Sequence, residues 1–149
     1  MSLEKIINDD IKKAMLAREK DKLEALRAVK SAVLLEKTGK YTGGEIPEDV
    51  ELKLLQRLVK QRKEAGETFV NQNRQDLADV EFFQAKIIEA YLPAQMNEDD
   101  IKKVVADVIA QTGAESMKDM GKVMGMCAKQ LAGKADNKIV SQFVKELLG

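Results

Sequence analysis

Histidine and tryptophan are absent from this 149-residue chain, cysteine occurs once, proline twice, and the aromatic side chains number only four phenylalanines and two tyrosines. Each absence removes a class of chemistry. Without histidine there is no imidazole for acid–base work near neutral pH and no ordinary zinc site. One cysteine, Cys127, cannot form an intrachain disulfide, and its neighbours make it a small buried hydrophobe rather than a nucleophile. So few aromatics, most of them at core-periodic positions, leave little for a platform on which single-stranded bases stack. Neither sign of charge is in excess: lysine plus arginine and aspartate plus glutamate are 25 each, with 17 of each up to Leu92 and 8 of each from Pro93 onward. A general nucleic-acid binder usually carries a basic surplus, so contact with RNA here must use a local stripe. No apolar run approaches the roughly 18 residues of a membrane span, and Met1-Ser2-Leu3-Glu4-Lys5 has no basic segment leading into a long apolar one. These features lead to the expectation of a soluble, cytoplasmic protein without membrane, metal or cofactor.

What is present is helical periodicity. Leu3, Ile6, Ile7, Ile11, Ala14 and Met15 recur at threes and fours, as do Leu23, Leu26, Val29 and Val33, giving two amphipathic helices. Asp21, with Glu24 three residues on, is the expected cap of the second. Three glycines between Gly39 and Gly44 mark a loop. Pro47 opens a third helix whose buried face is Val50, Leu54, Leu55, Leu58 and Val59. A fourth runs from about Asp76 to Tyr91, and Pro93 ends it. After Pro93 the pattern restarts, with Asn97 capping a fifth helix that Gly113 stops, a glycine-striped sixth closed by Gly133, and a seventh capped by Asp136. The expected architecture is all-α: a four-helix domain over residues 1–92 and a small three-helix domain over residues 93–149.

The sixth helix, read from Asp119 to Gly133, sorts its residues into stripes. At about 100° per residue, Gly121, Gly125, Ala128 and Ala132 share one side and form a groove almost free of side chains. Met120, Met124, Cys127 and Leu131 line one flank; Lys118, Lys122 and Lys129 line the other. Each interior glycine costs about 1 kcal/mol relative to alanine, so a compensating close approach is expected, with another helix as the favoured neighbour. Lys134 and Lys138 flank the start of the last helix, where free backbone N–H groups suit a phosphate. In the third helix Lys53, Arg57 and Lys60 step along the face opposite the leucines, and Lys12 to Lys40 hold nine basic residues against four acidic. These lysines and Arg57 are the candidate RNA contacts. No catalytic set emerges, because Asp9-Asp10, Asp99-Asp100 and Asp119 lie at helix ends or turns where carboxylates complement the dipole or are solvated. Gly121-Lys122 is no phosphate loop, since Glu115 stands where that signature needs glycine and Val123 where it needs serine or threonine.

The run Met120-Gly121-Lys122-Val123-Met124-Gly125, followed by Gly133-Lys134-Ala135-Asp136, resembles the YqeY-like proteins and the tail domain of the B subunit of the tRNA-dependent amidotransferase. Lys60-Gln61-Arg62-Lys63-Glu64, Arg74-Gln75-Asp76-Leu77-Ala78 and Tyr91-Leu92-Pro93 extend the resemblance over essentially the whole chain. It implies a non-catalytic accessory module that contacts the body of a tRNA. It also implies a family label of carbon–nitrogen ligation with glutamine as amide donor, for which this chain supplies no catalytic residues. Where the family continues the fourth helix with charge, this chain has Val80, Phe82 and Phe83. The alternative reading is therefore a protein-interaction module in which the Gly121/Gly125 groove and the Val80, Phe82, Phe83 face receive a partner helix.

Overall fold

The computed structural model describes residues 2–149, and among them every regular element is helical. The chain divides into two compact units, Met1–Leu92 and Pro93–Gly149. The first holds α1 (Leu3–Leu16), α2 (Lys20–Thr38), α3 (Glu48–Asn71) and α4 (Gln75–Glu89).

α1 starts at Ser2, whose side chain accepts from the Lys5 N–H, and its first amide is satisfied from a distance: Leu3 N–H donates to Glu51 Oε2 of α3 at 3.0 Å. α1 then reverses into α2 through Arg18, held at φ 57°, while the Glu19 N–H donates back to Ala14 O. That tight turn brings the chain into α2 earlier than its sequence suggests. Glu19, not Asp21, is the N-cap, and no side chain caps the helix. Pro47 likewise precedes α3 as its N-cap rather than lying in its first turn.

The core of this unit is built from Ile7, Leu26, Val29, Val33, Leu55 and Ile88, all essentially inaccessible to solvent. Each such side chain contributes about 1.5–3 kcal/mol through burial. Tyr91 closes the unit by donating its hydroxyl to Asp10 of α1. Burial and the neighbouring Asp10 carboxylate push the phenol well above its ordinary range.

α3 outreaches this core. The last α3 residue to join the central cluster is Val59. Further along, α3 pairs with α4 through a close crossing at Gly66, where an added Cβ would stand 2.5 Å from Cε1 of Phe82. Arg62 and Lys63 of α3 bond Gln84 and Glu89 of α4 at 3.2 and 3.3 Å. The turn between the helices uses Asn73 at φ 58°, and the Arg74 guanidinium clasps Asp76 through two 3.1 Å bonds.

The second unit holds α5 (Glu98–Thr112), α6 (Met120–Gln130) and α7 (Asn137–Leu148), with a 3-10 turn over Met117–Asp119. Asn97 caps α5 by accepting from the Asp100 N–H at 2.8 Å, and Gly113 at φ 67° ends it. Asp136 caps α7 by accepting from the Lys138 N–H at 2.9 Å. Ile101, Val105 and Val108 meet Val123, Cys127 and Leu131 of the α6 segment and Val140, Phe143 and Val144 of α7 in one apolar cluster. The segment entering the unit is tied to the α6–α7 turn by two bonds, Met96 N–H to Lys134 O at 2.9 Å and Gln95 Nε2 to Gly133 O at 2.6 Å.

Candidate functional site on the glycine-bearing helix

α6 is shorter than its sequence suggests. Lys118 lies on the preceding 3-10 turn, fixed by Ser116 Oγ accepting its N–H, and Ala132 lies past the helix end at Gln130. A helical stripe running from Asp119 to Gly133 is therefore interrupted at both ends, leaving Gly121, Gly125 and Ala128 on α6 itself.

The buried side of α6 is Val123 and Cys127, continued by Leu131 just past its end, with Met120, Met124 and Met126 half-buried beside it. The expected flank omitted Val123, which lies one turn before Cys127 at the edge of the buried arc. Burial pushes the Cys127 thiol above its ordinary value, so it stays protonated and unreactive.

Gly121 and Gly125 face the other way. Both are exposed, and a Cβ added at either would meet nothing within 4 Å. Among the described residues the expected helix neighbour is absent. Val123 and Cys127, with Leu131 just past the helix end, occupy the inner arc, and the geometry of a single helix turns the glycines about 120–160° away from it. Lys122 and Lys129 are exposed on this outer side, and Lys118 is exposed on the 3-10 turn that precedes the helix. The result is a strip of accessible backbone edged by two cations of α6, with a third on the turn before it.

Lys134 and Lys138 are exposed around the α7 cap, but the carboxylate of Asp136 takes the Lys138 N–H. That helix start thus receives its own anion. Lys53, Arg57 and Lys60 are exposed on α3, in the first unit. Phe82 is separated from the aromatic face it was grouped with. It is half-buried against Gly66, whereas Val80 and Phe83 remain 38% and 43% exposed.

The acidic pairs show no convergence. Asp10 accepts from Tyr91, Asp119 accepts the Glu115 N–H at 3.1 Å, and Asp100 gives its N–H to the Asn97 cap. Among the described residues, no three His, Cys, Asp or Glu side chains are grouped to hold a metal ion. Among the same residues no helix is long and apolar enough to cross a membrane.

The Gly66–Phe82 crossing and the Glu51–Leu3 bond are the structural contacts that sequence reasoning missed. A lone glycine inside the unbroken periodicity of α3 was the available signal for the first. The second had none, because it joins residues from two helices.

The family model for the Yqey-like protein matches residues 4–148. This chain belongs to the YqeY-like family. It is also similar to two yeast proteins named "Altered inheritance of mitochondria protein 41, mitochondrial". The one from Meyerozyma guilliermondii is 34% identical over 124 residues, 78% of this chain and 62% of the relative. The one from Clavispora lusitaniae is 33% identical over 98 residues, 64% of this chain and 56% of the relative. The chain thus covers less than two thirds of the length of either relative. Both relatives are mitochondrial by name, which overturns the expectation of a cytoplasmic protein. That expectation rested on the lack of a membrane-length apolar run and of a basic segment leading into one, and neither feature distinguishes the cytoplasm from the mitochondrion.

Proposed function

We propose that the protein is a non-catalytic, tRNA-associated accessory module. In this reading it resembles the tail domain of the amidotransferase B subunit, and residues 93–149 form the tail-like three-helix domain that follows a four-helix domain in the chain. The observation that carries the reading is the outer side of α6, where accessible backbone at Gly121 and Gly125 lies beside Lys122 and Lys129, with Lys118 exposed on the turn before the helix. Lysines serve as point charges for phosphates, and the absence of side chains at the glycines lets a sugar–phosphate backbone come close. Shape and backbone contact fit a folded RNA, and the scarcity of aromatics disfavours base stacking. The label of carbon–nitrogen ligation belongs, in this reading, to partner domains that carry the catalytic groups.

The test is a titration of folded tRNA at several salt concentrations. Neutralising about three phosphates predicts a loss of roughly 40-fold in affinity between 50 and 200 mM salt. Lys122→Glu with Lys129→Glu is expected to weaken binding at least tenfold at low salt without changing the helical signal. Absence of binding at low salt overturns the proposal.

A second reading is favoured by a specific observation, the exposure of Val80 and Phe83 together with the unfilled glycine strip. It makes the protein an adaptor that receives a partner helix. Gly125→Leu would then abolish capture of a protein partner while the fold survives.

A further inference from the structure

α4 turns one long side to solvent. Its buried residues are Ala78, Ala85 and Ile88. At about 100° per residue Phe83 stands opposite them, and its ring is exposed. On either side of Phe83 the same outer face has two different edges. Asp79 and Lys86 lie along one, both exposed; exposed Val80 and half-buried Ile87 lie along the other. Within each edge the two residues are seven apart, about 10.5 Å along the axis. Asp79 and Lys86 are thus beyond the three- or four-residue spacing at which helical ion pairs form. Asp79 accepts instead from a neutral neighbour, Gln75 Nε2, at 2.7 Å.

This layout is complementary to itself. When two copies of α4 lie antiparallel about a two-fold axis level with Phe83, each residue keeps its edge and the order along the helix is reversed. Asp79, four residues before the axis, then comes within about 1.5 Å in height of Lys86, three residues after it, on the same edge of the other copy. Val80 comes level with Ile87 in the same way on the apolar edge, and the two Phe83 rings meet at the centre. Every contact occurs twice, as a two-fold interface requires. A parallel pairing would instead set Asp79 against Asp79 and Lys86 against Lys86, so charge selects the antiparallel arrangement.

We propose that α4 is a homodimerisation surface, on which a second copy of this chain seats its own α4 antiparallel. Phe83 is the central contact, Val80 with the partner subunit's Ile87 closes one edge, and Asp79 with the partner subunit's Lys86 closes the other. The exposed Val80 and Phe83 face is thereby occupied by the chain itself rather than by a different protein. The pairing uses the first unit alone, so it stands or falls apart from what α6 binds. A single pair of four-turn helices covers less than the roughly 1,200 Å² of a standard interface, so the dimer exchanges with monomer, with a dissociation constant on the order of 10–100 µM.

The test is sedimentation of the full chain, free of RNA, from about 1 to 500 µM, a range that brackets that constant. A reversible monomer–dimer equilibrium is expected. Phe83→Glu should abolish it with an unchanged helical signal, because the ring is exposed in the monomer. Asp79→Lys and Lys86→Asp should each weaken self-association about tenfold or more, since each sets like charges together twice. An equimolar mixture of those two single variants should dimerise at least as well as the parent, and the chain carrying both substitutions should regain the parent affinity. That rescue separates a contact between copies from an effect within one helix. The proposal is overturned by a chain that stays monomeric at 500 µM, by a dimer that Phe83→Glu leaves intact, or by charge-reversed variants that neither lose self-association alone nor recover it together.

Discussion

Gly66 on α3 and Gly125 on α6 are both interior helix glycines, and the structure gives them opposite surroundings. At Gly66 an added Cβ would stand 2.5 Å from the Phe82 ring; at Gly125 it would meet nothing within 4 Å. The motif that advertises close approach is thus the open one, and the unadvertised glycine is the one in contact. A glycine removes a side chain from both cases alike. Whether another helix then moves into the space depends on which side of its own helix the apolar residues occupy. On α3 the glycine lies on the side packed by α4. On α6 Val123 and Cys127 lie on the side opposite the glycines.

The largest test of this contrast is Gly66→Val. Phe82 must be displaced to admit the new side chain, with an expected cost of about 2 kcal/mol, seen as a midpoint lowered by roughly 6 °C in thermal unfolding. Phe82→Ala in the same chain should remove much of that penalty, because the obstructing ring is gone. Additive losses in the double variant would break the account of the crossing. Gly125→Ala carries the opposite sign. With no neighbour to meet, alanine should stabilise α6 by about 1 kcal/mol through helix propensity alone. A lowered unfolding midpoint would show that something does pack on that strip.

The two units also differ in how their helices begin. α5 and α7 are capped by their own neighbours Asn97 and Asp136, while α1 adds to its own Ser2 cap a carboxylate borrowed from Glu51 of α3. The smallest expected effect follows from that borrowed carboxylate. Its pKa is raised in the folded state, so the fold holds the proton more tightly than the unfolded chain. Stability therefore falls as pH rises from the ordinary carboxylate range through the raised value. Glu51→Gln, which keeps an acceptor oxygen for Leu3, should match the parent at acidic pH and exceed it modestly near neutrality. A parent and variant that track each other from pH 4 to 7 would contradict the cause assigned to the shift.

Much of the architecture was legible in the sequence because it rests on local rules. The apolar spacing of Leu54, Leu55, Leu58 and Val59 marks the buried side of α3, and the short polar side chains of Asn97 and Asp136 cap the helices that follow them. The cap of α2 was misplaced because Arg18 adopts a left-handed conformation that its residue type does not announce. At the candidate site the spacing of Lys122 and Lys129 along one side of α6 could be read from the sequence, whereas Lys118 falls on the 3-10 turn, outside the helical stripe expected for it. The openness of the strip could not, since it depends on what the neighbouring helices do.

Composition and periodicity by themselves determined that this chain is helical, that it lacks the groups for histidine, disulfide or ordinary zinc chemistry, and which residues share a helical side. Those properties follow from side-chain chemistry and from the 3.6-residue turn, both local to the chain. Tertiary structure alone decided that Phe82 fills the space at Gly66, that Glu51 takes the first amide of α1, and that the glycines of α6 face outward. Each of these is fixed by packing between segments distant in sequence, where the burial of one set of side chains dictates which of the others is left exposed.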